Sequence, residues 1–154
     1  MLDELRELYQ EVILDHGKTP RNFRAIENAS HSAAGNNPMC GDTLVLYLAV
    51  DETGQIQDVS FQGKGCAISV SSASMMTEVL KGKSVDQAKA LFNVFHKMCT
   101  EDDYLPPDDA DEDALERLSV LAGVKTFPMR VKCATLAWHT MDAALAGSHE
   151  ISTE

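Results

Sequence analysis

The stretch Thr43-Leu44-Val45-Leu46-Tyr47-Leu48-Ala49-Val50, followed by Asp51-Glu52-Thr53-Gly54 and then by Ile56-Gln57-Asp58-Val59-Ser60-Phe61-Gln62, decides how this chain folds. The first run is rich in Leu, Val and Tyr, is too short for a helix and stops at a turn signal, so it reads as a strand. The second run, with Val59 and Phe61 on one side, follows at a distance typical of antiparallel pairing and reads as its hairpin partner. Upstream, the polar segment from His16 to Asn37 is punctuated by Pro20, Gly35 and Asn36-Asn37. It reads as irregular chain with one short strand near Ser30 to Ala34. Downstream, Gly63 and Gly65 break the second strand just before Cys66.

Helical spacing takes over on both sides of this hairpin. Leu5, Leu8, Tyr9, Val12 and Ile13 line one face of a first helix that stops at Gly17, shortly before Pro20. Ile68, Ser72, Met75, Met76 and Val79 give a second helix with a small-residue face, closed by Gly82. Ser84 and Gln87 form a capping box that starts a third, carrying Val85, Ala88, Leu91, Phe92 and Phe95. Residues 101 to 113 then hold eight acidic side chains and Pro106-Pro107, an exposed loop, before Leu115, Leu118 and Leu121 restore helical spacing as far as Gly123. Thr126-Phe127-Pro128 starts the last helix, with proline tolerated in its first turn, and Val131, Ala134, Trp138, Met141 and Leu145 run down one face. The tail from Ser148 to Glu154 is expected to fray.

A chain of 154 residues, 44% of them apolar, fits one domain spanning 1–154, with an acidic segment at about 99–114. The formal charge of -11 argues against nucleic acid and anionic lipid as partners, since both demand clustered Lys and Arg. No charged and apolar leader opens the chain, and no apolar run approaches the roughly 18 residues of a membrane span. The expectation is a cytoplasmic protein, in which cysteines are reduced rather than paired in disulfides.

Three of the four cysteines sit in settings that hold a thiolate: Asn37-Pro38-Met39-Cys40-Gly41-Asp42, Gly63-Lys64-Gly65-Cys66-Ala67 and Arg130-Val131-Lys132-Cys133-Ala134. Cys66 and Cys133 lie at or near helix N-termini, and Lys64, Arg130 and Lys132 add positive charge nearby. Both effects favour the ionised thiol. In Cys40-Gly41-Asp42 the glycine allows a tight turn, so that a thiolate and a carboxylate can face one ion. Brought together, Cys40, Asp42, Cys66 and Cys133 would make a site of three sulfurs and one oxygen, suited to tetrahedral zinc or to an edge of an iron-sulfur cluster.

These strings, together with Gly65-Cys66-Ala67-Ile68-Ser69-Val70-Ser71-Ser72-Ala73-Ser74-Met75-Met76-Thr77 and the early His16-Gly17-Lys18-Thr19-Pro20-Arg21-Asn22, resemble the SufU branch of the IscU/NifU-N family of iron-sulfur cluster assembly proteins. The resemblance spans roughly residues 5 to 146. Where IscU proteins carry a histidine before the third cysteine, this chain has Lys132. Leu105-Pro106-Pro107 resembles the start of the Leu-Pro-Pro-Val-Lys segment that a dedicated chaperone reads in IscU, but Asp108-Asp109 follows it and it lies far from Cys133 in sequence.

The resemblance implies an α+β fold, a small three-stranded antiparallel sheet packed by about five helices. It also implies a zinc ion on Cys40, Asp42, Cys66 and Cys133, and a partner that is a pyridoxal-phosphate cysteine desulfurase of the SufS type, whose turnover this protein stimulates. Cys40 would be the sulfurtransferase-type acceptor of persulfide sulfur, Arg130 would steady the transferred sulfur anion, and further cluster-assembly proteins would act downstream. The alternatives are a scaffold that assembles a [2Fe-2S] cluster on the same cysteines, and a zinc-stabilised binding module without chemistry of its own. Cys99 has no motif around it and reads as a structural thiol. His31, His96, His139 and His149 lie outside the motifs, and Met75, Met76 and Trp138 read as core.

Overall fold

The computed structural model of the chain describes residues 11–152. Residues 11–18 are helical (α1), with Ile13 buried and Val12 packed against the core; Leu5, Leu8 and Tyr9 of the expected apolar face lie outside the described residues. There follow strands β1 (His31–Asn37), β2 (Asp42–Val50) and β3 (Ile56–Lys64), and helices α2 (Ala67–Leu80), α3 (Val85–Thr100) and α4 (Glu112–Leu118). A 3-10 helix (Ser119–Thr126), α5 (Pro128–Leu145) and a short strand β4 (Glu150–Ser152) complete the order.

The hairpin read from the sequence is the centre of the sheet. β2 pairs antiparallel with β3 in a register that sets Leu46 opposite Phe61 and Leu48 opposite Val59. Leu44, Leu46 and Leu48 alternate with more exposed neighbours, so one face of β2 is buried and the other is not. β1 adds on the other side of β2, antiparallel, and its last residue, Asn37, stands opposite the first residue of β2, Asp42. The loop between them carries Cys40.

The sheet has four strands in the order β3-β2-β1-β4, and it is mixed, which corrects the expected three-stranded antiparallel sheet. β4 runs parallel to β1, with Ala34 opposite Glu150 and Asn36 opposite Ser152. Instead of fraying, the tail beyond α5 turns at Gly147 and supplies partners to the otherwise open edge of β1; the Ala34 N–H donates to the His149 carbonyl at 2.8 Å. A three-residue strand with one apolar side chain, Ile151, has no periodicity to announce it. The long-range need of an unpaired edge forms it.

Helices α2 and α5 cover one face of the sheet, α5 along β1 and β2, α2 along β3. The small residues on α2 let α5 approach closely, and the Ser72 hydroxyl donates to the Ala134 carbonyl across that contact. Trp138 on α5 is fully buried and stacks on Phe95 of α3, with ring centroids 4.9 Å apart. The capping box starts α3 as expected: Gln87 N–H donates to Ser84 Oγ at 3.1 Å, and Ser84 N–H to Gln87 Oε1 at 2.9 Å.

The acidic segment is mostly exposed through residue 109, yet it is tied down at its end. Asp111 caps α4 by accepting from the Ala114 N–H, and its other oxygen pairs with Lys83, at the turn before α3. Leu115, Leu118 and Leu121 then bury against the core, the last of them from the 3-10 helix that continues α4. This connection delivers the chain to Pro128 at the first turn of α5, five residues before Cys133.

Candidate metal centre

Three local structures deliver the candidate ligands to one end of the sheet. Cys40 sits in the loop joining β1 to β2, where Gly41 adopts φ 70, a left-handed conformation that glycine accepts without strain. Asp42 is the first residue of β2 and is fully buried. Cys66 is the N-cap of α2, directly after β3. Cys133 lies in the second turn of α5, also fully buried, while Cys40 and Cys66 are half-buried.

The sulfurs of Cys40 and Cys133 are 3.1 Å apart. With a carboxylate oxygen of Asp42 they form a trio whose ligand atoms all lie within 4.8 Å of one another. The Asp42 carboxylate is held at both ends: Oδ1 accepts the Cys66 backbone N–H at 2.8 Å, and Oδ2 accepts from Asn37 Nδ2 at 3.1 Å. Gly65 makes the first contact possible, since a Cβ there would stand 2.5 Å from Asp42 Oδ1. Cys66 lies outside the tight trio; it joins the cluster through the N–H on Asp42 and a hydrogen bond with the Cys133 thiol.

That last bond splits the two thiols electrostatically. The Cys66 thiol is lowered to about 6, first because Cys133 donates to its thiolate, then because the Ser69 and Ile68 N–H groups at the start of α2 face it. Cys133 is pushed up, first by sharing its proton with the Cys66 thiolate and then by burial. Arg130, exposed on the first turn of α5, feels the sulfurs of Cys66, Cys133 and Cys40, and its own pKa is raised by them. The structure therefore places all five expected site residues in one neighbourhood, three as a tight cluster and two beside it.

The donor set fits a soft divalent cation. Three thiols and a carboxylate match the ligand types of tetrahedral zinc, and each Asp42 oxygen keeps a lone pair beyond its one hydrogen bond. Two sulfurs on one zinc stand about 3.8 Å apart for bonds near 2.3 Å, so Cys40 and Cys133 need to spread by only about 0.7 Å from 3.1 Å.

Two features escaped the reading of the sequence. Asn37 was quoted as part of a motif, but its buried amide contacts both Asp42 Oδ2 and Cys133 Sγ. The period-two alternation of Ala33, Gly35 and Asn37 on the inward side of β1 is the signal that could have exposed it. The site mouth is also largely apolar: Cys66, Ala67, Ile68, Val124, Phe127 and Arg130 line an open depression, and Phe127 is exposed, as are Met39, next to Cys40 in the chain, and Met129, whose carbonyl faces Cys133.

The chain is similar to proteins of iron-sulfur cluster assembly. The profile of the NifU-like N terminal domain matches residues 8–145. The zinc-dependent sulfurtransferase SufU of Bacillus subtilis is 41% identical over 143 residues, 92% of either chain. The iron-sulfur cluster assembly scaffold protein IscU of Streptococcus pyogenes is 37% identical over 147 residues, 96% of this chain and 88% of that one. A crystal structure from Fervidobacterium islandicum, described as an iron-sulfur cluster assembly scaffold protein for the SUF system, superposes with a TM-score of 0.78 at 36% identity, covering 88% of this chain and 94% of its own.

Proposed function

Because the chain belongs to the NifU-like N terminal domain family, we propose that it is a zinc-dependent sulfur acceptor in iron-sulfur cluster biogenesis, taking persulfide sulfur onto Cys40 from a pyridoxal-phosphate cysteine desulfurase of the SufS type. The observation that carries this reading is the thiol–carboxylate–thiol cluster of Cys40, Asp42 and Cys133, with Cys40 on a half-exposed loop rather than in the core. Cys40, Asp42, Cys66 and Cys133 would hold the ion. When bound, zinc keeps its thiolate ligands deprotonated and guards them from oxidation.

The four residues differ in how firmly they are fixed. Asp42 and Cys133 are buried and Cys66 is anchored at a helix start, whereas Cys40 rides on the loop next to a left-handed glycine. Cys40 is therefore the residue that would come free, while Asp42, Cys66 and Cys133 would hold the ion. The freed Cys40 thiolate attacks the outer sulfur of the partner's persulfide. A new S–S bond forms on Cys40, the partner's S–S bond breaks, and its electron pair leaves on the partner's cysteine as thiolate, so the exchange is redox-neutral. Arg130 beside the sulfurs offsets the negative charge that gathers there. The exposed Met39, Phe127 and Met129 give a docking partner an apolar rim to cover. Downstream cluster-assembly proteins would then take the sulfur.

The test is sulfur loading of Cys40→Ala, read by intact mass after incubation with the desulfurase and free cysteine, with metal content measured in parallel. Loss of the 32 Da adduct (the mass of about one sulfur) supports the assignment, and undiminished loading rules out Cys40 as the acceptor. The scaffold reading draws on the IscU relative and on the same cysteines. Lys132 stands where that reading wants a histidine ligand, so the zinc reading predicts aerobically purified protein without visible charge-transfer bands. A binding module without chemistry predicts a desulfurase indifferent to this protein.

A further inference from the structure

The metal-site reading leaves one fully buried polar side chain unexplained, and it touches two of the four ligands. Asn37 is the last residue of β1 and has 0% exposure. Its Nδ2 lies 3.1 Å from Asp42 Oδ2 and 3.5 Å from Cys133 Sγ, while its Oδ1 has no hydrogen-bond partner among the described residues. The amide turns its NH2 group to Asp42 Oδ2, and the same nitrogen faces the Cys133 sulfur.

We propose that Asn37 is the positioning residue of the metal centre, its amide aiming the Asp42 carboxylate and the Cys133 sulfur at a bound zinc ion; this rests on the reading of Cys40, Asp42, Cys66 and Cys133 as zinc ligands. Asn37 and Asp42 are opposite each other in the β1–β2 register, so their side-chain bond closes the base of the loop that carries Cys40. The Cys66 N–H fixes the other carboxylate oxygen, and the two donors together set the plane of the carboxylate. When Cys40 leaves to take sulfur, this clamp keeps two of the remaining ligands in place. Partners of this kind change metal affinity about 10- to 100-fold when removed, without touching the ion.

The test uses the full chain and zinc itself. Zinc affinity and zinc release rate are measured by competition with a chromophoric chelator for wild type, Asn37→Ala and Asn37→Asp, beside thermal melts of each metal-free protein. Asn37→Ala is expected to bind zinc about 10- to 100-fold more weakly and release it faster, with its metal-free melting midpoint unchanged or raised. Asn37→Asp, which trades the donor for a second acceptor against Asp42, is expected to lose more. Folded Asn37→Ala that binds zinc within about twofold of a zinc-binding wild type overturns the Asn37 role alone. A wild type that binds no zinc overturns the metal-site reading beneath it. Should neither variant fold, the wild-type side-chain amide decides: Asn37 NH2 protons protected from exchange and shifted by zinc support the role, and freely exchanging, unshifted protons overturn it.

Discussion

Cys133, near the start of α5, and Cys99, near the end of α3, are both 0% exposed, yet their surroundings are opposites. Cys99 sits in the hydrophobic core, where burial pushes its thiol up to about 12 and the charge of Lys125 pulls back only weakly. Cys133 is just as dry, but it meets Cys40, Cys66, Asn37 and Asp42, and its proton is shared with a thiolate next to it. Burial alone makes an inert thiol. Burial among polar groups at the openings of two helices gives what the proposed metal site needs, thiols able to exchange their protons for a cation. The difference separates a packing residue from a ligand more sharply than exposure does.

The widest gap between the two regions is in reactivity. In metal-free protein, Cys66 should react with a small alkylating reagent at a rate that rises through pH 6 and levels off above it, because its thiol is lowered to about 6. Cys99, pushed up to about 12 and shielded, should stay unmodified until the chain unfolds. At pH 7 their thiolate fractions differ by a factor on the order of 10⁵. Peptide mapping after timed alkylation checks this, and comparable labelling of both cysteines in the folded protein would erase the contrast.

A second comparison is thermodynamic. Cys99→Ser puts a hydroxyl into an apolar setting and should cost about 1–3 kcal/mol in urea unfolding. Metal-free Cys133→Ser should cost less, under about 1 kcal/mol, because Asn37 Nδ2 and the Met129 carbonyl stand ready to bond the hydroxyl. Equal costs would mean that the polar groups around Cys133 do nothing for it.

The smallest effect concerns the middle of α2, the helix that Cys66 caps. His16 on α1 is buried and shares a 2.7 Å hydrogen bond with Ser74 of α2. Burial, then the charge of Arg21, lowers its pKa below the ordinary 6.5. The unfolded chain therefore takes up a proton first as pH falls. The stability that neutral His16 provides is fully present above about pH 6.5 and is lost as pH drops toward the lower folded value, at no more than about 1.4 kcal/mol per pH unit. Denaturation midpoints between pH 5 and 8 should show this decline, and His16→Asn should flatten it.

Much of this was legible because the decisive signals are local. The β2–β3 hairpin followed from eight residues rich in Leu, Val and Tyr and a turn, the α3 start from Ser84 and Gln87, and the Cys40 loop from one glycine. The short β4 was not legible, since its pairing exists only because α5 carries the tail back to the open edge of β1. The three cysteine settings were readable one by one, but their convergence came through resemblance, because nothing local tells Cys133 that it will lie 3.1 Å from Cys40. Asn37 was missed for the same reason: an asparagine before a proline reads as a turn residue until the strand beside it shows which way its amide must face.

Zinc-edge X-ray absorption on wild-type protein as purified tests the central claim most directly. The expected result is three sulfurs at about 2.3 Å and one oxygen at about 2.0 Å around the zinc, from Cys40, Cys66, Cys133 and Asp42. A shell with two sulfurs or fewer, or with the scattering signature of an imidazole ring, would contradict it.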